Sequence, residues 1–112
     1  MDKVVSKVAA LGVPGLMLVI AIGSTGLVGA AAITAALAAL GPGGMIGGVA
    51  VLVLAALVAD AIAKFGYDAI LIAVLKELHK KGYTKAELIL KVEKQHVSKD
   101  LKRKAREAVE KF

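Results

Sequence analysis

From Val8 to Ala59 the chain carries no ionisable side chain, a run of fifty-two residues. Such a stretch cannot lie open to water. It must be buried in a bilayer, in an oligomer or at the centre of a compact bundle. A chain of 112 residues has only a small core of its own in which to hide it. The charge is correspondingly one-sided. Residues 1–60 hold Asp2, Lys3, Lys7 and Asp60 and sum to zero. Residues 61–112 hold thirteen Lys/Arg against seven Asp/Glu, which is the whole formal charge of +6. Asymmetry of this kind favours a membrane or nucleic-acid partner over a uniform globule.

The apolar fraction of 58% excludes intrinsic disorder. The absence of cysteine excludes a disulfide scaffold and a thiolate metal site. A cleavable signal peptide fits poorly, because the apolar run continues far past the ~7–15 residues of a signal core.

The strongest punctuation is Gly41-Pro42-Gly43-Gly44, a turn between two elements. Before it, the alanine-rich run from Thr25 to Leu40 favours helix. After it, Met45 to Phe65 forms a second apolar run closed by Gly66, suited to a helix C-terminus. The two runs predict an antiparallel helical hairpin. Upstream, Gly12 ends any helix begun near Asp2, and Pro14 suits the first turn of a helix running to Ile22. Gly23-Ser24-Thr25-Gly26 then marks either a kink or a break, so residues 11–32 read as one kinked helix or as two.

The second half reads as three short amphipathic helices. Tyr67, Ile70, Leu71, Val74, Leu75 and Leu78 share one helical face, and Gly82 follows as a cap. Thr84-Lys85-Ala86-Glu87 matches a capping box ahead of Leu88, Ile89 and Val92. Ser98 caps a last helix with Leu101, Ala105, Ala108, Val109 and Phe112 on one face. No run alternates as a strand would. The fold class expected is therefore all-α: a membrane-inserted Gly/Ala-rich apolar hairpin over 1–66, then a basic amphipathic tail over 67–112.

A bilayer span needs ~20 mostly apolar residues. Met45 to Lys64 supplies that length, with its two charges, Asp60 and Lys64, in the last turn and a half, where they can pair at a membrane interface. Leu11 to Ala32 supplies a second span only if the Gly23–Gly26 kink is helical throughout. Gly43 with Gly47, Gly44 with Gly48, and Gly26 with Ala30 have the small-xxx-small spacing that lets helices associate closely in lipid. The densest basic patch is Lys99, Lys102, Arg103, Lys104 and Arg106, suited to an anionic leaflet. Nucleic acid is disfavoured as its partner, because no aromatic interleaves the cations and no DNA-binding motif is present.

Catalytic signatures are missing from the pattern. His79 and His96 are far apart with no third metal ligand, Gly23-Ser24-Thr25-Gly26 is not a nucleophile elbow, and Gly41–Gly48 lacks the Lys-Ser/Thr of a phosphate loop. An enzyme is not expected, and neither a cofactor nor a metal is implied.

In composition, the Gly/Ala-rich apolar stretch followed by a lysine-rich amphipathic helix resembles circular bacteriocins and interferon-inducible small hydrophobic proteins. The resemblance carries no diagnostic motif and transfers no site residue. Two functions compete. The first is a membrane-active protein that inserts, oligomerises and forms a pore or permeabilises an anionic bilayer, with the basic C-terminal region on the cytoplasmic side. The second is a soluble structural module that buries its apolar half in a homo-oligomer or against a protein partner.

Overall fold

The computed structural model describes residues 2–24, 48–95 and 97–112, and for residues 48–52 the backbone only. Six α-helices and no strand occur among them: α1 Asp2–Ala10, α2 Val13–Ser24, α3 Gly48–Phe65, α4 Tyr67–Lys80, α5 Lys85–Glu93 and α6 Lys99–Glu110. The expected hairpin turn at residues 41–44 and the helix before it lie outside the described residues.

Each helix end has a local chemical cause. Gly12 stops α1 by taking φ +69°, which a side chain resists, and its amide donates to the Ala9 carbonyl at 2.9 Å. Pro14 then sits exposed in the first turn of α2, where its missing amide costs nothing. Gly66, at φ +94°, is the single residue between α3 and α4. Its amide closes α3 on Ile62 at 2.9 Å, while its carbonyl accepts the Ile70 amide of α4. At the end of α4, Gly82 donates to His79 and Tyr83 donates back to Leu78, the paired bonds of a Schellman cap. Thr84 and Ser98 cap α5 and α6, accepting from the amides of Glu87 and Leu101 at 3.1 Å each.

Helix α4 is the axis of the molecule and packs against all five other helices. Ile70, Leu71, Val74, Leu75 and Leu78 are fully buried on it, as their spacing predicts, and Tyr67 is half-buried. The three helices before α4 also pack pairwise on one another, and so do the two after it. One continuous apolar cluster results, running from Val5 through Leu16, Val19 and Val58 to Leu88, Leu101 and Val109.

Among the described residues, no helix is long and apolar enough to cross a membrane. The expected insertion of the hairpin therefore has no support in these helices. The Leu11–Ala32 span is interrupted at once by the Gly12 turn, and α2 has twelve residues as described, about 18 Å. In α3 the uninterrupted uncharged run is the twelve residues before Asp60, and both Asp60 and Lys64 are exposed. Leu16, Val19 and Val58 of these two helices are instead fully buried within the protein's own core.

Candidate functional site

The surface divides by charge, and α2 with α3 forms its uncharged part. Pro14, Met17, Ala21 and Ser24 recur along α2 at intervals of three and four, and these are residues the core leaves exposed or half-exposed. None is ionisable. On the adjoining α3 the outward positions are Val53, Ala56 and Leu57, then Asp60, Ala63 and Lys64. Val53 is 55% exposed, an apolar side chain turned away from the core. Charge appears only at the far end, where Lys64 Nζ lies 3.2 Å from Asp60, beside Phe65 at 48% exposure. The pair is solvated, so its contribution to stability is small.

Tyr67 ties α2 to the start of α4. Its hydroxyl donates to the Ile20 carbonyl at 3.3 Å and lies 3.3 Å from Ser24 Oγ. Its ring covers Gly23 so closely that a Cβ there would fall 2.2 Å from Cε1. Burial pushes the phenol pKa up, the bond to Ser24 opposes that shift, and the neighbouring Asp68 adds to it. A second close approach joins α1 to α2, where a Cβ on Gly15 would fall 2.0 Å from the Val8 carbonyl oxygen. Gly15 and Gly23 are packing positions that pair spacing did not single out. Both sit in the same uncharged, glycine-bearing run, which is the only sign of them in the sequence. Of the expected packing residues, Gly26, Ala30, Gly43, Gly44 and Gly47 lie outside the described residues, and Gly48 is the first residue of α3.

The basic residues sit on α6, and acids meet them. Arg103 reaches Asp100 at 2.6 Å and Glu107 at 3.3 Å on its own helix. Lys104 bridges Asp100 at 3.2 Å and, across to α4, Asp68 at 2.9 Å. Arg106 pairs with Glu93 at the end of α5. Lys85 of α5 donates to the Glu110 carbonyl at 3.4 Å. Lys99 is exposed and Lys102 half-exposed. The Arg103 guanidinium, followed by Lys104, holds the Asp100 carboxyl below the usual carboxylate range. Asp68, followed by Asp100, holds the Lys104 ammonium above the usual lysine range. The expected lipid-binding cluster is thus brought together on one helix, with the charge of Arg103, Lys104 and Arg106 countered.

Elsewhere the polar groups are engaged in structure. His79 Nδ1 lies 2.9 Å from the Tyr83 carbonyl, and the His79 ring lies 5.8 Å from that of Phe112. Ser24 and Ser98 are occupied by Tyr67 and by the α6 cap. An open depression of about 360 Å³ at the α4–α5 turn is lined by Lys81, Gly82, Tyr83 and Glu87. Among the described residues no group of three His, Asp or Glu could hold a metal ion. His96 lies outside them.

Comparison with protein-family models, with curated proteins and with solved structures finds no match to this chain.

Proposed function

We propose that this protein is a non-enzymatic, membrane-active helical module. Its α2–α3 face and the uncharged segment joining those helices contact the hydrocarbon of an anionic bilayer. The basic α6 lies toward the headgroups. The observation that carries this reading is the uncharged outer surface of α2 and of α3 at Val53, Ala56 and Leu57, among described helices that otherwise carry dense charge. An apolar face rimmed by polar residues is the form that interaction sites take. Contact through one face requires no single helix to cross the bilayer. Self-association through Gly47 and Gly48 then builds the permeabilising species, with the C-terminal region on the cytoplasmic side.

Vesicle flotation with dye release tests the reading. The full chain is expected to float with vesicles containing phosphatidylglycerol at both low and high salt, since apolar contact survives screening. It should also release trapped dye. Gly47→Leu/Gly48→Leu should reduce release by blocking close helix approach. Binding without release would leave an anchor or scaffold. No binding, together with a monodisperse oligomer in detergent-free buffer, would favour a second copy as the partner of the same face.

A further inference from the structure

We propose that α6 is a cover held over α4 and α5 by its own cations, and that anionic lipid headgroups release it by taking those cations over. The inference rests on the membrane reading above and supplies its regulation. Eight of the twelve residues of α6 are ionisable, and its buried anchor is only Leu101, Ala105 and Val109. The helix is therefore joined to the core by a narrow apolar stripe and by charge. Its interhelix ion pairs are Lys104 with Asp68 of α4 and Arg106 with Glu93 of α5. All four side chains remain partly solvated, between 34% and 51% exposed, so headgroups can reach them.

The charge balance makes the cover a switch. Of the five cations of α6, Arg103, Lys104 and Arg106 are paired with carboxylates: Asp100 and Glu107 on the helix itself, and Asp68 and Glu93 from its neighbours. Closed, Asp68 and Glu93 offset two of these positive charges and so weaken the attraction of the helix to an anionic surface. Released, the helix keeps an excess of two positive charges and exposes its apolar stripe. A cationic amphipathic helix of that kind lies in a membrane interface. Release also uncovers α4. Lys104 meets α4 near its start at Asp68, and Phe112 meets His79 near its end, so the C-terminal stretch follows α4 along the same direction. Leu71 and Leu75, fully buried, lie on the helical face that links Asp68 to His79. Phosphate groups compete for the same cations that hold the cover shut, so the membrane itself is the opening signal.

The chain has no cysteine, so spin labels at Lys76→Cys and Lys111→Cys report the α4–α6 separation specifically. Both positions are exposed. The double-labelled full chain is measured alone, with phosphatidylcholine vesicles, and with vesicles that also contain phosphatidylglycerol. The expected result is one short distance in the first two conditions and a longer, broader distribution in the third. Asp68→Asn/Glu93→Gln should show a minor long population without lipid and bind the anionic vesicles several-fold more tightly. An unchanged distance in protein that floats with anionic vesicles overturns the cover and leaves the membrane reading standing. Failure to float removes the membrane reading and the lipid trigger together. In that case an unchanged distance in Asp68→Asn/Glu93→Gln overturns the charge latch as well.

Discussion

Helices α1 and α2 meet where Gly15 faces the Val8 carbonyl, whereas α5 and α6 meet across Arg106–Glu93 and the reach of Lys85 to Glu110. The first contact exists because atoms are missing, and backbone comes against backbone. The second is made by long, solvated side chains, with Thr84 and Ser98 fixing each helix start. The difference predicts different sensitivities. A glycine contact is indifferent to salt and pH and intolerant of one added carbon. A charged contact tolerates substitution and responds to salt. Helix α4 serves both regions, so damage to it should not discriminate between them.

Leu75→Ala should have the largest effect. The side chain is fully buried on the shared helix, and such truncations cost about 2–5 kcal/mol. Urea unfolding should remain a single transition at lower midpoint. Two separated transitions would show that the regions fold independently of α4.

Gly15→Ala follows closely, at about 3 kcal/mol, because Val8 offers backbone rather than a movable side chain at 2.0 Å. Gly23→Ala should cost less, about 1–2 kcal/mol, since the Tyr67 ring can swing away at the loss of its bond to Ile20. Chemical denaturation of each variant checks the order, and neither loss should depend on sodium chloride. If Gly15→Ala were neutral, the close approach of α1 and α2 would be wrong.

In the other region, Ser98→Ala should cost about 1 kcal/mol by removing the acceptor of the Leu101 amide. Amide exchange should rise first in the opening turn of α6. Lys104→Ala should have a smaller effect, as its partners are solvated, and the loss should shrink in high salt. Thermal melts at two salt concentrations separate this from the glycine variants.

The smallest effect is in pH, and its sign differs between regions. The Asp100 pKa is depressed in the fold by Arg103. Its contribution is present above the ordinary carboxylate range and is lost as pH falls through the lowered value. The Tyr67 pKa is raised by burial. Its contribution is present below the ordinary tyrosine range and is lost as pH rises through the raised value. Acid below the ordinary carboxylate range should therefore loosen α6, and alkali above the ordinary tyrosine range the α2–α4 junction. Asp100→Asn should flatten the acid limb of a stability profile, and Tyr67→Phe the alkaline limb.

Among the described residues, sequence by itself determined most helices and the ends marked by glycines and caps, because these depend on neighbours a few residues away. Gly12, Gly66, Gly82, Thr84 and Ser98 all act where the local pattern placed them. The apolar face of α4 was equally legible, since a 3.6-residue period is a property of the chain alone. The Asp60–Lys64 pair, four residues apart on one helix, belongs with these.

Only the tertiary structure decided where the described ends of the uncharged run are hidden. Hydropathy measures dislike of water and does not distinguish lipid from a neighbouring helix, so Leu16, Val19 and Val58 read alike for either burial. It also decided which glycines matter for packing. Gly15 and Gly23 do so because Val8 and Tyr67, seven and forty-four residues distant, arrive against them. The part of the countering that comes from other helices is tertiary for the same reason. Asp68 and Glu93 reach Lys104 and Arg106 only once α4, α5 and α6 are packed, and no local spacing encodes that meeting.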